Sequence, residues 1–402
     1  MNEELYMISR MELHGYKSIR KCEALDLRPL NVLIGPNRSG KTNLLDFFAL
    51  LGEAGREQLA EGLNRRGGMG SLLWAGGARQ IKASLTFDPS GVFKEERLPV
   101  TYKLILDKVG TSYTIVHEEL EKAARPGFAR GFEVFKAEGG KATVHNLLSK
   151  TNEVTEVSDR ELAVVQLRDP LAYPTPGKVR QELGSIVVHR PFATYDDAPM
   201  RQAQFIESGS KDRPPTRLLP GGHNLTSVYH SFANEAKWGD KWDEAQGVIR
   251  QAFPGFRNIY FPTDAGAGRA ILAWRDDAFP TRAFPASMLS DGTLSFLCLV
   301  AVLFDPNPAS LVCLDEPEVG LHPSLIRLVA ELLDLAAERT QLIVATHSPQ
   351  LITYLRPEHI VVVEAVDGQT QFRRLDADEL QVWLRDFTLG ELWLQGEIGG
   401  QP

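Results

Sequence analysis

Hydrophobic residues recur with different spacings along the 402-residue chain, and each spacing predicts a different kind of element. Residues 5–34 have the pattern of strands, and the apolar run at 31–34 is short enough for a buried strand. The segment 41–51 is apolar nearly all round, which predicts a buried helix. From residue 81, and again over 100–106, apolar and polar side chains alternate. This alternation predicts antiparallel strands with one face in solvent.

The second half of the chain changes character twice. It is rich in Pro, Gly and Asp over roughly 166–222, and apolar residues then take helical spacing in two segments, 225–232 and 242–252. Beyond residue 289, strand-like and helix-like segments alternate: apolar runs at 310–314, 341–345 and 360–363, and an amphipathic helix over 323–337. Such alternation predicts right-handed β-α-β units and a mostly parallel sheet.

A glycine-rich segment joins the strand at 31–34 to the next helix. Residues 35–42, here named the phosphate loop, fit G-x-x-x-x-G-K-[ST] in the strand-to-helix context that the motif requires. In such a loop, backbone N–H groups hold phosphate oxygens, Lys41 adds positive charge, and Thr42 offers its hydroxyl to Mg²⁺. We expect Lys41 to be a surface-loop residue without core contacts. The predicted ATP-binding residues are Gly35, Pro36, Asn37, Arg38, Ser39, Gly40, Lys41, Thr42 and Asn43.

Two later strands end on side chains that could act on a bound phosphate. The strand at 311–314 delivers Asp315 and Glu316 at its carboxyl end, where parallel sheets bind ligands. Asp315 could hold Mg²⁺, and Glu316 could be the general base for an attacking water. His347 ends the next strand, within reach of a γ-phosphate. Alone, the acids would fit a helix cap and the histidine a structural role, so the phosphate loop decides the interpretation.

The segment 289–293, here named the signature segment, precedes a very apolar helix. Its Ser290 and Gly292 fit an ordinary helix N-cap, which typically stabilises a protein by about 1 kcal/mol. The same geometry also presents a helix N-terminus and a hydroxyl to an anion. The sequence of this segment by itself leaves both interpretations open.

Composition excludes several classes of protein. Hydrophobic residues make up 43% of the chain and charged residues 24%, as in ordinary globular proteins. A formal net charge of -8 argues against a surface that binds polyanions everywhere, although a local basic patch is compatible with it. The N-terminus lacks an apolar signal-peptide region, and the longest apolar stretch, 294–304, is too short to span a bilayer. We therefore expect a cytoplasmic protein without a membrane partner.

These motifs, taken in order, resemble the ABC ATPase superfamily. Within it, the chain is similar to the RecF/SMC-like branch and to bacterial predicted ATPases near the OLD family. The resemblance rests on four stretches, which are 13–19, 40–43, 289–293 and 315–323. It implies an α/β ABC head with an antiparallel subdomain and an inserted, mainly helical lobe. The expected division is lobe I over 5–165 and 308–376, lobe II over 166–307, and a C-terminal tail over 377–402.

The resemblance also implies how such a head works. Two copies would form a homodimer around two ATP molecules, each between the phosphate loop of one copy and the signature segment of the other. Ser290 and Gly292 would then act in trans, and residues 318–322, here named the D-loop, would run along the dimer seam. A Q-loop glutamine would help to hold Mg²⁺. Gln166 stands at the expected junction of the lobes, with Gln80 and Gln202 as alternatives.

Three departures from the family pattern limit what the resemblance implies. Only some 120 residues lie where SMC relatives insert coiled-coil arms, so tethering of DNA by arms is excluded. About 50 residues follow the histidine strand, and they lack the motifs of a TOPRIM nuclease, so we expect no nuclease in cis. Arg38 replaces a glycine that is common in the branch, and we expect ordinary negative φ there.

The resemblance suggests an ATP-hydrolysing protein in DNA repair or phage defence that gates a separate effector such as a nuclease. DNA is a candidate partner. The alternatives are a transporter ATPase, disfavoured by the long separation of Lys41 from Ser290, and a nucleotide-gated binding module with negligible turnover. The tail, with apolar residues over 380–394, would dock either on the chain's own core or on a partner protein.

Overall fold

The structure is a computed structural model that describes residues 7–88, 98–124, 130–206, 217–262 and 268–400. The predicted start of the first strand at 5–6 and the last two residues of the predicted tail lie outside these ranges. Within them, no helix is both long enough and apolar enough to cross a membrane.

Strands form most of the first half of the described chain and return throughout the second. They are β1 Met7–Tyr16, β2 Ile19–Asp26, β3 Leu30–Ile34, β4 Gln80–Asp88, β5 Val100–Val109, β6 Ser112–Lys122, β7 Phe132–Glu138, β8 Lys141–Asn146, β9 Thr151–Glu156, β10 Val187–His189, β11 Gln204–Phe205, β12 Phe256–Tyr260, β13 Arg269–Ala270, β14 Ala273–Asp276, β15 Ala283–Pro285, β16 Leu311–Asp315, β17 Gln341–Ala345, β18 Ile360–Val366 and β19 Gln369–Arg374.

The α-helices of the same ranges vary from one turn to four. They are α1 Lys41–Gly55, α2 Leu59–Arg65, α3 Met69–Leu72, α4 Ala163–Gln166, α5 Pro174–Ser185, α6 Leu225–Asn234, α7 Gly239–Ala252, α8 Asp291–Leu303, α9 Ile326–Ala337, α10 Pro349–Thr353, α11 Ala377–Leu380 and α12 Leu389–Gln395.

An antiparallel sheet of eight strands has the order β2-β1-β4-β5-β6-β7-β8-β9. Burial alternates along β4 and β5, as the period of two predicted, because one face packs on the core and the other meets solvent. The sequence pattern did not reveal β7 to β9. In β9 no side chain is fully buried, so this strand has no apolar face to detect.

The second large sheet, here named the core sheet, has the order β10-β16-β17-β3-β18-β19. Its first five strands are parallel and β19 is antiparallel to β18, which confirms the predicted mostly parallel sheet. All five residues of β3 and of β17 are buried, as expected for strands covered by helices on both faces. The α/β fold class inferred from the sequence is thus confirmed.

The predicted lobe boundary at residue 166 differs from the structure. The strand β10 pairs in parallel with β16, with His189 opposite Leu314, so the core lobe extends to His189. Residues 187–189, which were assigned to lobe II, thus belong to the core sheet. The sequence concealed β10 because a strand of three residues shows no periodicity and lies inside the Pro- and Gly-rich region.

Lobe II combines helices with short strands. The helices α6 and α7 appear where the helical spacing predicted them, and α8 follows the signature segment. Three strands, β12, β14 and β15, form a small antiparallel sheet beside these helices, and β11 pairs with β13. The expectation of a mainly helical lobe is therefore only partly met. These strands are two to five residues long, too short for their pattern to be read from sequence.

The helix α1 crosses α5 at a glycine contact that allows a specific prediction. A Cβ built on Gly55 would lie 2.4 Å from the backbone nitrogen of Gly184, whereas a Cβ on Gly247 of α7 would have no heavy atom within 4 Å. We expect Gly55→Ala to destabilise the protein by about 1–3 kcal/mol through overpacking. Gly247→Ala should stabilise it by about 0.4–1 kcal/mol. Thermal unfolding measures both, and equal shifts in Tm would contradict the packing.

Candidate functional site

Three neighbouring strands of the core sheet end at one edge, here named the site edge. Asp315 of β16 pairs with Ala345 of β17, and Ala345 pairs in turn with Leu33 of β3. The chain leaves these strands as the acidic pair, the His347 turn and the phosphate loop. Parallel pairing thus brings together three motifs that lie up to 312 positions apart, because 347 minus 35 is 312.

The phosphate loop approaches its surroundings too closely for side chains at its two glycines. A Cβ on Gly35 would lie 2.0 Å from the carbonyl oxygen of Val363, and a Cβ on Gly40 would lie 2.1 Å from Thr370 Oγ1. Arg38 adopts φ 67°, so the expectation of ordinary φ at this position is wrong. An l-residue in this left-handed region is uncommon, and such strain is often found at functional sites.

Lys41 is only 4% exposed, which contradicts the expectation of a surface residue without core contacts. Its ammonium group donates to the carbonyl oxygens of Gly35 at 2.7 Å and Pro36 at 3.1 Å. Burial lowers the pKa of Lys41 to about 8, although the charges of Glu316 and Asp315 act to raise it. The lysine therefore folds back onto its own loop and faces two carboxylates.

Hydroxyl groups from two distant segments hold the back of the phosphate loop. Thr370 of β19 donates to the carbonyl oxygen of Ser39 at 2.7 Å, and its hydroxyl lies 2.7 Å from Ser18 Oγ. The amide of Asn43 donates to Ser18 Oγ at 2.6 Å. The hydroxyl of Ser39 is buried without a hydrogen-bond partner among the described residues. Nothing in the sequence marked Thr370, because only the sheet order brings β19 to the loop.

Glu316 and His347 face each other at the site edge. The backbone N–H of His347 donates to Glu316 Oε2 at 3.2 Å, and His347 Nε2 lies 3.6 Å from Glu316 Oε1. Burial, and next the neighbouring charge of Glu318, raise the pKa of Glu316. Burial, and next the charge of Lys41, lower the pKa of His347. Glu316 also takes φ 52°, so a strained backbone aims this carboxylate.

Glu318 lies inside the site instead of on the predicted dimer seam. It is 9% exposed, and one of its carboxylate oxygens accepts a hydrogen bond from the hydroxyl of Thr346. The other carboxylate oxygen is buried without a hydrogen-bond partner among the described residues. The rest of the D-loop is more accessible: Val319 is 53% exposed, and Gly320 and His322 are exposed as well. Only residues 319–322 therefore remain available for a seam.

Arg190 is a basic residue of the site that the sequence motifs did not reveal. It directly follows β10, the neighbour of β16 in the core sheet. Its guanidinium lies 3.3 Å from Asp46 of α1. Burial raises the pKa of Asp315, and the charges of Arg190 and then Lys41 act against that rise. The signal that identifies Arg190 is the strand order, because this residue is the first after the core lobe.

The structure does not bring Gln166 to the site, so its predicted role as a metal ligand is not supported. Its side-chain amide donates to the backbone oxygens of Ser158 and Glu161, and its oxygen accepts from the N–H of Ser158. The two alternative glutamines also form hydrogen bonds away from the site. The side-chain amide of Gln80 donates to Asp107, and that of Gln202 donates to the carbonyl oxygen of residue 197. Arg190, and not a glutamine, directly follows β10 in the chain.

Mg²⁺ fits the oxygen donors at the site edge. Thr42 lies exposed in the first turn of α1, and Asp315 at the end of β16 is part-exposed. In the described ranges, His, Cys, Asp and Glu residues nowhere form a group of three or more that could hold a metal by itself. Mg²⁺ commonly binds through one or two protein oxygens together with phosphates and water, and the Thr42 hydroxyl and the Asp315 carboxylate are oxygen donors of this kind.

The signature segment is held in place by its own lobe and by the D-loop. Ser290 caps α8 by accepting from the N–H of Thr293 at 3.2 Å. A Cβ on Gly292 would lie 2.6 Å from the carbonyl oxygen of Gly320, so only glycine permits this contact. The buried Arg201 donates to the carbonyl oxygen of Leu289 at 2.7 Å. Within the described chain, Ser290 forms no hydrogen bond with the phosphate loop.

Solved structures with a similar fold are heads of SMC proteins. An Smc head bound to the C-winged helix domain of ScpA is 14% identical, with a TM-score of 0.57, and the match covers 93% of this chain and 99% of that one. An Smc head with an extended coiled coil, bound to the C-terminal domain of ScpA and derived from Pyrococcus furiosus, is 12% identical, with a TM-score of 0.52 and coverage of 95% and 99%. At these identities the likeness establishes the fold.

Sequence comparison assigns the family. No curated protein matches the chain significantly. A family profile does match over residues 30–353, a range that includes the phosphate loop, the signature segment, the acidic pair and His347. The family model supports a nucleotide-binding ATPase, and the solved structures show that the chain has the fold of an SMC head. The chain belongs to the family described as "AAA domain, putative AbiEii toxin, Type IV TA system".

Proposed function

We propose that this chain binds ATP with Mg²⁺ on its phosphate loop and hydrolyses the terminal phosphate within an ATP-dependent homodimer. One observation carries the proposal: the buried ammonium of Lys41 rests on its own loop carbonyls, close enough to Glu316 and Asp315 for their charges to act on its pKa. A triphosphate offers this ammonium stronger, charge-assisted hydrogen bonds than two neutral carbonyls do. The orphaned hydroxyl of Ser39 would gain a partner in the same step.

Each residue of the site edge has a distinct proposed task. Glu316 would accept the proton of the attacking water, since its raised pKa suits a group that must take up a proton near neutral pH. His347, kept neutral by burial and by Lys41, can donate a hydrogen bond to the reacting phosphate. Thr42 and Asp315 would hold Mg²⁺, which when bound neutralises charge on the β- and γ-phosphates. Arg190 would balance the negative charge around Asp315.

The dimer is proposed because the signature segment has the features of an anion-binding site. Among the described residues, Ser290 of this segment forms no hydrogen bond with the phosphate loop of its own chain, so the ATP would come from a second copy. Ser290 presents its hydroxyl at the N-terminus of α8, a helix of 13 residues whose peptide dipoles favour negative charge. Gly292 packs against Gly320, so the signature segment and the D-loop form one continuous surface. A second copy could present its ATP to this surface, with Ser290 and Gly292 acting in trans.

The biological role we propose is nucleotide-dependent control of another protein. Two of the structurally similar Smc heads were solved with a ScpA domain bound, which supports a protein partner for a head of this fold. We propose that the partner is a separate effector with nuclease-like activity and that the pair works on DNA in repair or phage defence. A cytoplasmic location follows from that role.

The first prediction concerns the protonation of Lys41. Because its pKa in the free protein is about 8, the ammonium loses its proton as pH rises through 8. Phosphate binding requires the charged form, so ATP affinity should fall by about tenfold between pH 7 and pH 9. Lys41→Arg stays charged throughout this range and is the matched control, whose affinity should fall less because only Glu316, with a pKa raised to about 8, still titrates there. Fluorescence titration with an ATP analogue measures both proteins, and parallel pH profiles would contradict the assignment.

The second prediction tests the trans arrangement. Ser290→Arg should bind ATP but not hydrolyse it, and Lys41→Met, which keeps the aliphatic stem, should not bind ATP. In a mixed dimer one site carries both defects and the other carries neither. Equal mixing should therefore recover up to about a quarter of wild-type turnover, as expected for random pairing in a two-fold dimer. No recovery at any ratio, with mixed dimers detected by cross-linking, would refute the arrangement.

The third prediction separates chemistry from binding. Glu316→Gln keeps the shape of the side chain but cannot accept a proton, so hydrolysis should slow by about a hundredfold or more. ATP should bind at least as tightly, because a general base adds little to ground-state affinity. The variant should accumulate as an ATP-bound dimer in light scattering. Asp315→Asn serves as the contrast, since it should weaken Mg²⁺-dependent binding itself.

Two outcomes with Glu316→Gln would count against the proposal. Turnover near the wild-type rate would show that another group accepts the proton. A protein that stays monomeric at saturating ATP would show that the dimer does not form around the nucleotide. Negligible turnover by the wild type, together with tight ATP binding, would favour a nucleotide-gated binding module.

A further inference from the structure

The helix α12 packs on the helix that follows His347. Leu389 is 3% exposed, and Leu392 and Trp393 are completely buried. A Cβ built on Gly390 would lie 2.3 Å from the carbonyl oxygen of Pro349, the first residue of α10. The two helices therefore touch backbone to backbone, one residue beyond the Ser348 cap of α10. Through this contact the tail packs directly on the segment that follows His347.

After α12 the chain turns back, and Gly400 lies against the phosphate loop. A Cβ on Gly400 would lie 3.2 Å from Gly35 Cα, so the two backbones are in close contact. The N–H of Gly400 donates to Glu364 Oε1 at 2.8 Å, and its carbonyl oxygen accepts from the indole N–H of Trp393. The guanidinium of Arg373 donates to the carbonyl oxygen of residue 398 at 2.8 Å.

Burial of α12 alone does not account for this second contact. Leu389, Leu392 and Trp393 of the helix are already covered by the core, whereas residues 396–400 are held by the buried Ile398 and by two polar side chains, Glu364 and Arg373. Glu364 and Arg373 belong to β18 and β19, the strands next to the phosphate loop in the core sheet. Gly35, which Gly400 touches, supplies the carbonyl oxygen that accepts from Lys41 at 2.7 Å. A backbone contact between Gly400 and Gly35, followed by the hydrogen bond between Gly35 and Lys41, thus connects the tail to the phosphate-binding lysine.

We propose that residues 389–400, here named the brace, are a positioning element for ATP hydrolysis that fixes the phosphate loop and His347 relative to each other. One end holds Gly35 and so preorganises the loop for ATP. The other end holds α10 and so sets the place of His347 beside Glu316. This inference rests on the proposed ATPase function and adds to it residues that do not touch the nucleotide.

The two ends can be loosened separately. Glu364→Ala removes the acceptor for Gly400 without opening a cavity in the core, and we expect it to raise the KM for ATP by about threefold or more with little change in kcat. Glu364→Gln keeps an oxygen that can accept from Gly400 and should restore the wild-type KM. Gly390→Ala pushes α12 away from α10 and should lower kcat by about fivefold or more, with KM within about twofold of wild type.

Steady-state phosphate release on the full chain, with Tm measured for each variant, tests the brace. Gly247→Ala is the control for a glycine substitution away from the site and should leave kcat and KM unchanged. If Gly390→Ala does not fold, Leu392→Val loosens the same helix contact without a clash. Variants that lower Tm but keep wild-type KM and kcat would overturn the brace. A wild type that neither binds nor hydrolyses ATP would overturn the proposed function and the brace together.

Discussion

The parallel pairing of β16, β17 and β3 is the constraint on which the rest of the structure depends. Asp315, Ala345 and Leu33 stand in register across these strands, so the phosphate loop, the acidic pair and the His347 turn leave the sheet side by side. The antiparallel sheet extends the core behind this edge, and Arg190 marks the point where the chain departs into lobe II.

The site edge contains several ionisable groups whose charged forms are disfavoured by burial. Four charged residues are at least partly buried there: Lys41, Asp315, Glu316 and Glu318. Because burial disfavours the charged form, it lowers the pKa of the lysine and raises the pKa of the three carboxyl groups. Glu318 also retains a buried carboxylate oxygen without a hydrogen-bond partner in the part of the chain that is described. A bound triphosphate would draw Lys41 away from its loop carbonyls and change this balance of charge. Nucleotide binding is thereby coupled to the protonation of the whole group.

The residues of contiguous motifs were easier to predict from the sequence than the residues that distant strands bring to the site. The phosphate loop and the acidic pair could be found because each motif is contiguous and lies between a strand and a helix. Arg190 and Thr370 could not, because only the order of strands brings them to the site. Gln166 was proposed as a metal ligand because the three-residue strand β10, which extends the core sheet beyond it, could not be found in the sequence. The left-handed φ of Arg38 is imposed by the folded loop against the preference of the residue.

The close packing at Gly35 and Gly40 explains why the phosphate loop has a glycine at both positions of its sequence motif. Gly35 and Gly40 leave no room for a Cβ, so these two positions are constrained by the structure itself. The tail illustrates the opposite case. Its apolar residues fitted either the chain's own core or a partner surface, and the structure shows Leu392 and Trp393 fully buried in the core. Exposed Val382 and Trp383, in contrast, remain on the surface.

We propose that a complete catalytic site requires two copies of the chain. The most direct test measures phosphate release per molecule of wild-type protein across a wide range of protein concentrations at saturating ATP and Mg²⁺. A site divided between two copies predicts that specific activity rises with protein concentration and then reaches a plateau as the dimer forms. Constant specific activity down to concentrations at which light scattering shows only monomer would contradict the claim.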